Sequence, residues 1–458
     1  MASLQYQILP RSLHTIFISL RNPNFRIYLA AQIGSNIGSW IQITADNWLV
    51  LQLANSGLAL GITNALQFGP LVFFGLYGGV IADRFDHRRL LIVTQSALAL
   101  LAGAIGLLVV ANQIRLWMMW VAALLLGLIM SIDKPALLSF VKDLVGEADL
   151  PNAAALNNGV ISSGRMIGPV IGGLLIASFG MAPSFFVNAI SFGLVVLVLM
   201  ILDVANLRVT RPAERKPGQV REGLSYIRQD RVLRLTVIAM SVVFVTAYNF
   251  QVMVPVLASR MLAGSSELYG VVMSSLGLGA VTGSLLIAAC VKPGAMMVAL
   301  CCALLSIVYI WLALPFGVYW ALAGMFLLGV SCGFFNVTVT STLQLRARDD
   351  VRGRVMAMYS IGILGSGLVG APLAGTLADT VGVSQTFLII AAICAGTAAT
   401  TAWTWLKYEN RRVEWKSKRS NENARAAAGA EKELNWADID FHDGSSLVWR
   451  PLIDERSS

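Results

Sequence analysis

The stretch GGVIADRFDHRRLL, residues 78–91, holds six ionisable side chains in the seven positions from Asp83 to Arg89, between two long apolar runs. The chain as a whole is only 13% charged. A turn this charged between segments this apolar is the pattern of a chain that leaves a membrane and re-enters it. Composition agrees. The 458 residues are 56% hydrophobic and the mean hydropathy is +0.70, beyond the apolar share of a soluble domain.

Twelve segments, at about 27–53, 61–82, 90–111, 116–140, 152–178, 183–203, 233–258, 268–290, 295–314, 317–343, 353–378 and 385–406, are apolar enough to cross a core of about 30 Å as helices. The expected fold class is therefore an all-α polytopic membrane protein. The first 26 residues carry Arg11, Arg21 and Arg26 without a cleavable leader pattern, so the first span is expected to persist. The five cysteines lie in apolar spans without metal-site spacing.

Charge placement decides the meaning of the +9 net charge. With a cytoplasmic N-terminus and twelve spans, only Arg115 and Arg260 of the 34 Lys and Arg fall in external connections. Eight basic residues lie between Arg208 and Arg234, and Arg346, Arg348, Arg352 and Arg354 cluster in the tenth connection. This is positive-inside asymmetry, which predicts an inner-membrane location with both termini cytoplasmic. It accounts for the basic charge without a nucleic acid.

The expected organisation is a cytoplasmic segment at 1–26, a six-helix bundle at 27–203, a cytoplasmic loop at 204–232, a second bundle at 233–406 and a polar, largely disordered cytoplasmic tail at 407–458. Val220, Leu224 and Ile227 are spaced for a short helix on the membrane surface. The halves read as repeats. A shift of 203 lays Ser163, Gly164, Pro169 and Gly172 on Ser366, Gly367, Pro372 and Gly375. Parallel six-helix repeats place a site near the midplane between them.

Within the opening turn, Asp83 lies four residues after Gly79, on the same helical face. A carboxylate there can sit at the positive end of a neighbouring helix and pair with an arginine as a latch. Gly79, Asp83, Arg84, Arg88 and Arg89 resemble the loop between the second and third helices of the major facilitator superfamily. The resemblance implies two six-helix bundles and a latch between Asp83 and the helix beginning near Arg352, Gly353 and Arg354. Asp86 stands where the family has Gly, and His87 where it has a base, which leaves a pH response of the latch open. Gly164, Gly168, Pro169, Gly172 and Gly173 resemble the antiporter motif of that superfamily's drug exporters, with Ala155 in place of an earlier Gly. A well-packed helix is the plain alternative. The stretches 21–41, 135–158, 184–192 and 343–360 are similar to the transmembrane secretion effector group, which includes siderophore exporters and macrolide efflux proteins.

Ionisable residues inside spans are functional candidates by default. Asp46 and Asp133 are candidates for proton coupling. Arg165, near the midplane, either binds an anionic substrate or pairs with Asp133 or Asp46. Asn36, Trp40, Gln42, Tyr248, Asn249, Gln251 and Asn336 are candidates for the cavity wall. The sequence holds no phosphate-binding loop, and His14, His87 and His442 lie outside the spans. It therefore predicts no enzyme, cofactor or metal site. The expected partners are a small-molecule substrate, protons and lipid, with the chain a monomer. The resulting expectation is a proton-coupled exporter of a siderophore, drug or related amphiphile. The rivals are an uptake symporter, a lysolipid transporter, or a receptor acting through its tail.

Overall fold

In a computed structural model the chain is described over residues 18–434, apart from 203–224, 263, 291–292, 315 and 349–350. Side chains are described to residue 409, except those of 76 and 288–290. The chain divides into two units, Met1–Ala402 and Trp403–Ser458. All regular structure among the described residues is helical.

The helices are α1 (Pro23–Ala54), α2 (Gly57–Arg84), α3 (His87–Val110), α4 (Leu116–Phe179), α5 (Ala182–Ile201), α6 (Arg231–Ala247), α7 (Phe250–Val256), α8 (Ser266–Cys290), α9 (Ala295–Ala313), α10 (Val318–Arg346), α11 (Arg352–Gly365), α12 (Ala371–Thr380) and α13 (Val383–Leu434). Local chemistry sets their ends. Asn22 caps α1 by accepting from the amides of Asn24 and Phe25, with Pro23 as the first helical residue, which needs no amide there. Asp86 caps α3 by accepting from the Arg89 amide at 2.8 Å.

Ten described segments are long and apolar enough to cross a membrane, against twelve expected. α1 is not among the ten. It forms a 32-residue helix, but Gln32, Asn36, Gln42, Asp46 and Asn47 dilute its hydropathy. α4 counts once, although it runs for 64 residues through a non-helical Gly146 at φ 79°, ψ 178°. That positive φ is open to glycine at little cost, and it separates two stretches that are each long enough to span.

Helices α1, α2, α3 and α5 pack on or beside α4, and α8, α9 and α10 pack together. Two seams join the first group to the later helices, α4 with α8 and α2 with α12. The seams are tight because glycines face each other. A Cβ on Gly270 would lie 2.4 Å from the Pro169 carbonyl oxygen, and one on Gly375 would lie 2.1 Å from that of Gly57. Close backbone approach of this kind is the packing mode of membrane helices.

Two segments break. Tyr248 and Asn249 separate α6 from α7, and π-helical turns occupy Leu257–Met261 and Ser366–Gly370. Of the residues expected to form a surface helix, Ile227 lies in a helical run at 225–229 and is buried, while Val220 and Leu224 lie outside the described residues. In the second unit α13 continues to Leu434. Residues 407–434 are thus helical where the sequence reading expected disorder, since Ala, Glu, Lys and Arg dominate and proline is absent. Lys407 lies 5.1 Å over the Trp403 ring.

Candidate functional site

The antiporter-type motif sits where α4 meets two neighbours. Gly164, Gly168 and Gly172 face α1, where their Cβ positions would meet the Asn36 backbone, the Trp40 Cβ and the Ile41 carbonyl. Gly173 and the Pro169 carbonyl face Gly270 on α8. Beyond that contact the seam opens. A Cβ on Gly277 still meets the Arg165 carbonyl at 3.1 Å, whereas one on Gly159 would meet nothing within 4 Å. The widening forms a cavity of about 460 Å³, lined by Ser162, Ser163, Arg165, Tyr248, Ser284 and Asn336 among others.

Arg165 and Tyr248 also line a second cavity of about 180 Å³, with Trp40, Phe68, Asn249, Phe250 and Gln251. This one lies against both breaks, the Tyr248–Asn249 interruption and the π-turn at Ser366–Gly370. Gln251 in turn reaches a small cavity of about 30 Å³ with Gln42, Asp46, Asn47, Thr63 and Gln67, room for about two waters. Three adjoining spaces therefore run from Asp46 to Arg165, with Gln251 shared by the first two and Arg165 and Tyr248 by the last two.

The two inward-facing ionisable groups are held differently. Asp46 accepts a long hydrogen bond from Gln42 Nε2 at 3.4 Å, and its Oδ1 is buried without a partner. Gln42 is fixed by Asn188 Nδ2, which donates to its Oε1 at 2.7 Å. The Arg165 guanidinium lies 5.9 Å from the centroids of both the Trp40 and Phe250 rings, and its Nε has no partner. It pairs with neither Asp46 nor Asp133.

Asp133 is buried at 2% exposure, and its Oδ1 accepts from Thr94 Oγ1 at 2.6 Å and Gln95 Nε2 at 3.0 Å. It lines none of these cavities. Asn36 donates to the Gln32 carbonyl of its own helix at 2.9 Å and supports Gly164. Tyr248 donates to the Cys332 carbonyl at 2.9 Å, and Asn336 Oδ1 accepts from the Tyr359 hydroxyl.

In the charged turn, Arg88 donates through Nε and Nη2 to the carbonyls of Leu199 and Met200, at 2.5 and 2.7 Å, satisfying the end of α5. His87 Nδ1 lies 2.5 Å from Asp143 Oδ2. Both contacts bind the turn to its own group of helices. Gly79 is buried, Arg84 and Arg89 are exposed, and a Cβ on Gly353 would meet nothing within 4 Å.

The sequence reading missed a second cluster, at the opposite end of the helices. The Asp379 carboxylate accepts from Ser56 Oγ at 2.6 Å and from the amides of Gly57 and Leu58 at 2.8 and 2.9 Å, and it meets Arg260 Nη2 at 2.8 Å. Arg260 also donates to the carbonyls of Asn55 and Ala378, at 2.8 and 3.2 Å. One carboxylate thus occupies the amide end of α2, where negative charge is favoured, and a guanidinium closes the other side. The signal in sequence was Arg260, one of two basic residues on the side otherwise nearly free of them.

The comparisons agree with this architecture. Residues 14–428 match the family described as "Transmembrane secretion effector". The chain is 26% identical over 368 residues to the Staphyloferrin A transporter of Staphylococcus aureus (strain NCTC 8325 / PS 47), covering 78% of this chain and 91% of the relative. It is 26% identical over 399 residues to the Multidrug efflux pump Tap of Mycobacterium tuberculosis (strain ATCC 25618 / H37Rv), covering 83% and 93%. Among solved structures, the nucleoside transporter NupG superposes with a TM-score of 0.65 at 13% identity, over 83% of this chain and 99% of that one, a likeness of fold. Helices joined across two glycine seams around a polar cavity, together with the family match along most of the chain, make this protein a member of the transmembrane secretion effector branch of the major facilitator superfamily.

Proposed function

We propose that this transporter exports a small organic compound, of the siderophore, drug or amphiphile kind, across the inner membrane in exchange for protons. Family membership makes it a small-molecule transporter working by alternating access, which favours transport over the receptor reading. The observation that carries the coupling is Asp46, a buried carboxyl with one oxygen unpartnered, in a space that shares Gln251 with the cavity of Arg165. A carboxyl with one buried, unpartnered oxygen and one long hydrogen bond on the other is a natural proton site, because taking up a proton removes the charge that burial penalises. Asp133, with two donors already on one oxygen, is better suited to holding α3 against α4. The Multidrug efflux pump Tap supplies the direction by analogy.

In this reading the ten apolar spans, α1 and the second stretch of α4 make twelve crossings. The 203-residue repeat pairs the α4–α8 seam with the α2–α12 seam. The positive-inside pattern puts the Asp379–Arg260 clamp on the outer face and the 83–89 turn in the cytoplasm. The described conformation is then closed outside and open within. Substrate enters the cavity beside Arg165, the clamp breaks as the halves rock, and the cavity opens outward. Proton uptake by Asp46 from outside drives the return.

The test uses inside-out vesicles with an imposed proton gradient, a panel of siderophores, macrolides and lysolipids, and the variant Asp46→Asn. Substrate-triggered proton release in wild type, lost in the variant, supports antiport. If no compound releases protons from folded wild-type protein, this reading is overturned. Proton movement in the same direction as the compound establishes the symporter.

A further inference from the structure

We infer that the substrate is an organic anion, whose charged group docks on Arg165 while its apolar body fills the cavity between α4, α8 and α10. This deepens the transport reading above by naming the charge class at the same site. Four observations carry it. Arg165 is the one basic residue among those lining the 180 and 460 Å³ cavities, and no Asp or Glu lines either. Among the described residues the guanidinium makes no ion pair, and its Nε is buried without a hydrogen bond. The flanking Trp40 and Phe250 rings, each 5.9 Å away, attract a cation through their faces but leave its N–H donors free. Asn336, which lines the same cavity as Arg165, spends its carbonyl oxygen on Tyr359, which leaves its amide hydrogens as further donors there.

A fixed cation near the middle of a membrane protein is costly unless something completes it. Among the described residues no complement is present, since both acids first considered as partners make their hydrogen bonds elsewhere: Asp133 holds Thr94 and Gln95, and Asp46 leans on Gln42. A planar guanidinium suits a carboxylate, catecholate or phosphate, taking two oxygens at once. Met166, Val281 and Leu285 in the wall suit an apolar body, and the hydroxyls of Ser162, Ser163 and Ser284 are spent on carbonyls of their own helices. The space falls in the range of pockets that hold drug-sized ligands. A free organic acid and an anionic lipid share this chemistry.

The experiment measures binding to the purified full-length protein in detergent without a gradient, by fluorescence anisotropy. The probes are 9-anthracenecarboxylate, its neutral carboxamide and cationic 9-(aminomethyl)anthracene. The expected result is that the carboxylate binds at least tenfold more tightly than the amide and the cation most weakly. Arg165→Gln should erase the difference between acid and amide, and Arg165→Lys should keep part of it. Equal binding of the three probes to wild type overturns the inference whatever the variants do, as does a charge preference that survives in folded Arg165→Gln. Displacement of the carboxylate by decanoate but not lysophosphatidylglycerol supports a free acid, and the reverse supports a lipid. Because no gradient is present, proton release in the vesicle assay without charge preference here sinks this inference alone. Charge preference here without proton release there sinks the export reading alone.

Discussion

Asp379→Asn removes the charge of the clamp while keeping its shape, and its effect is calculable. The carboxylate accepts three hydrogen bonds and one ion pair, all within 2.6–2.9 Å. Asparagine keeps one acceptor and turns an NH₂ toward donors that need an oxygen. A hydrogen bond to a charged group contributes about 1.5–3 kcal/mol, and a carboxylate at a helix N-terminus about 0.3–1 kcal/mol. The Arg260 and Asp379 side chains are 28% and 23% exposed, so screening trims the ion-pair share. The net loss is about 1–2 kcal/mol, a 5–30-fold change in the ratio of clamped to open molecules. The clamp joins residues 55–58 to residues 260 and 379, so the loss should appear in the position of the two groups of helices rather than in unfolding. Spin labels at Gln113→Cys and Phe316→Cys, on a background with the five native cysteines replaced, report the separation at this end by pulsed dipolar spectroscopy. Wild type should give one short-distance population, and Asp379→Asn should raise a longer one at its expense. Arg260→Gln should do the same, and the double variant should add little to either, since both act on one contact. Unchanged distance distributions in both single variants would refute the clamp as a determinant of the closed state.

Other expectations follow from named contacts. Gly270→Ala puts a Cβ 2.4 Å from the Pro169 carbonyl oxygen; it should disfavour this conformation by about 1–3 kcal/mol and raise the same long-distance population, while Gly159→Ala, with nothing within 4 Å, should leave it unchanged. Asp133→Asn should keep substrate-triggered proton release where Asp46→Asn loses it. Asp133→Leu should instead lower the thermal midpoint, because Thr94 and Gln95 lose their acceptor at a cost of about 1–3 kcal/mol. Arg88→Gln strips both guanidinium bonds from the end of α5 and should speed hydrogen exchange at residues 198–202 without moving the spin-label distances.

The sequence by itself determined what depends on local pattern. Apolar runs fixed nearly every crossing, because burying twenty residues in lipid leaves the backbone no choice but a helix. The distribution of arginines predicted sidedness, the turn at 79–89 pointed to the superfamily, and the stretches 21–41, 135–158, 184–192 and 343–360 pointed to its branch. Where the structure differs from the simple count of apolar runs, the cause is local too: polar groups thin the hydropathy of α1, Gly146 joins two expected spans into one run of α4, and a helix-forming composition carries α13 into the tail. What only the tertiary structure decided are the pairings between distant segments. Ser56 meets Asp379 across 323 positions, and no periodicity encodes that. Arg165 had two acids as plausible partners in sequence, and only packing showed that neither reaches it. Each of the motif's glycines found its neighbour the same way, three against α1 and one against α8. Hydropathy acts residue by residue and can be read along a chain, whereas a buried charge is defined by what lies beside it, and that is set when the helices pack.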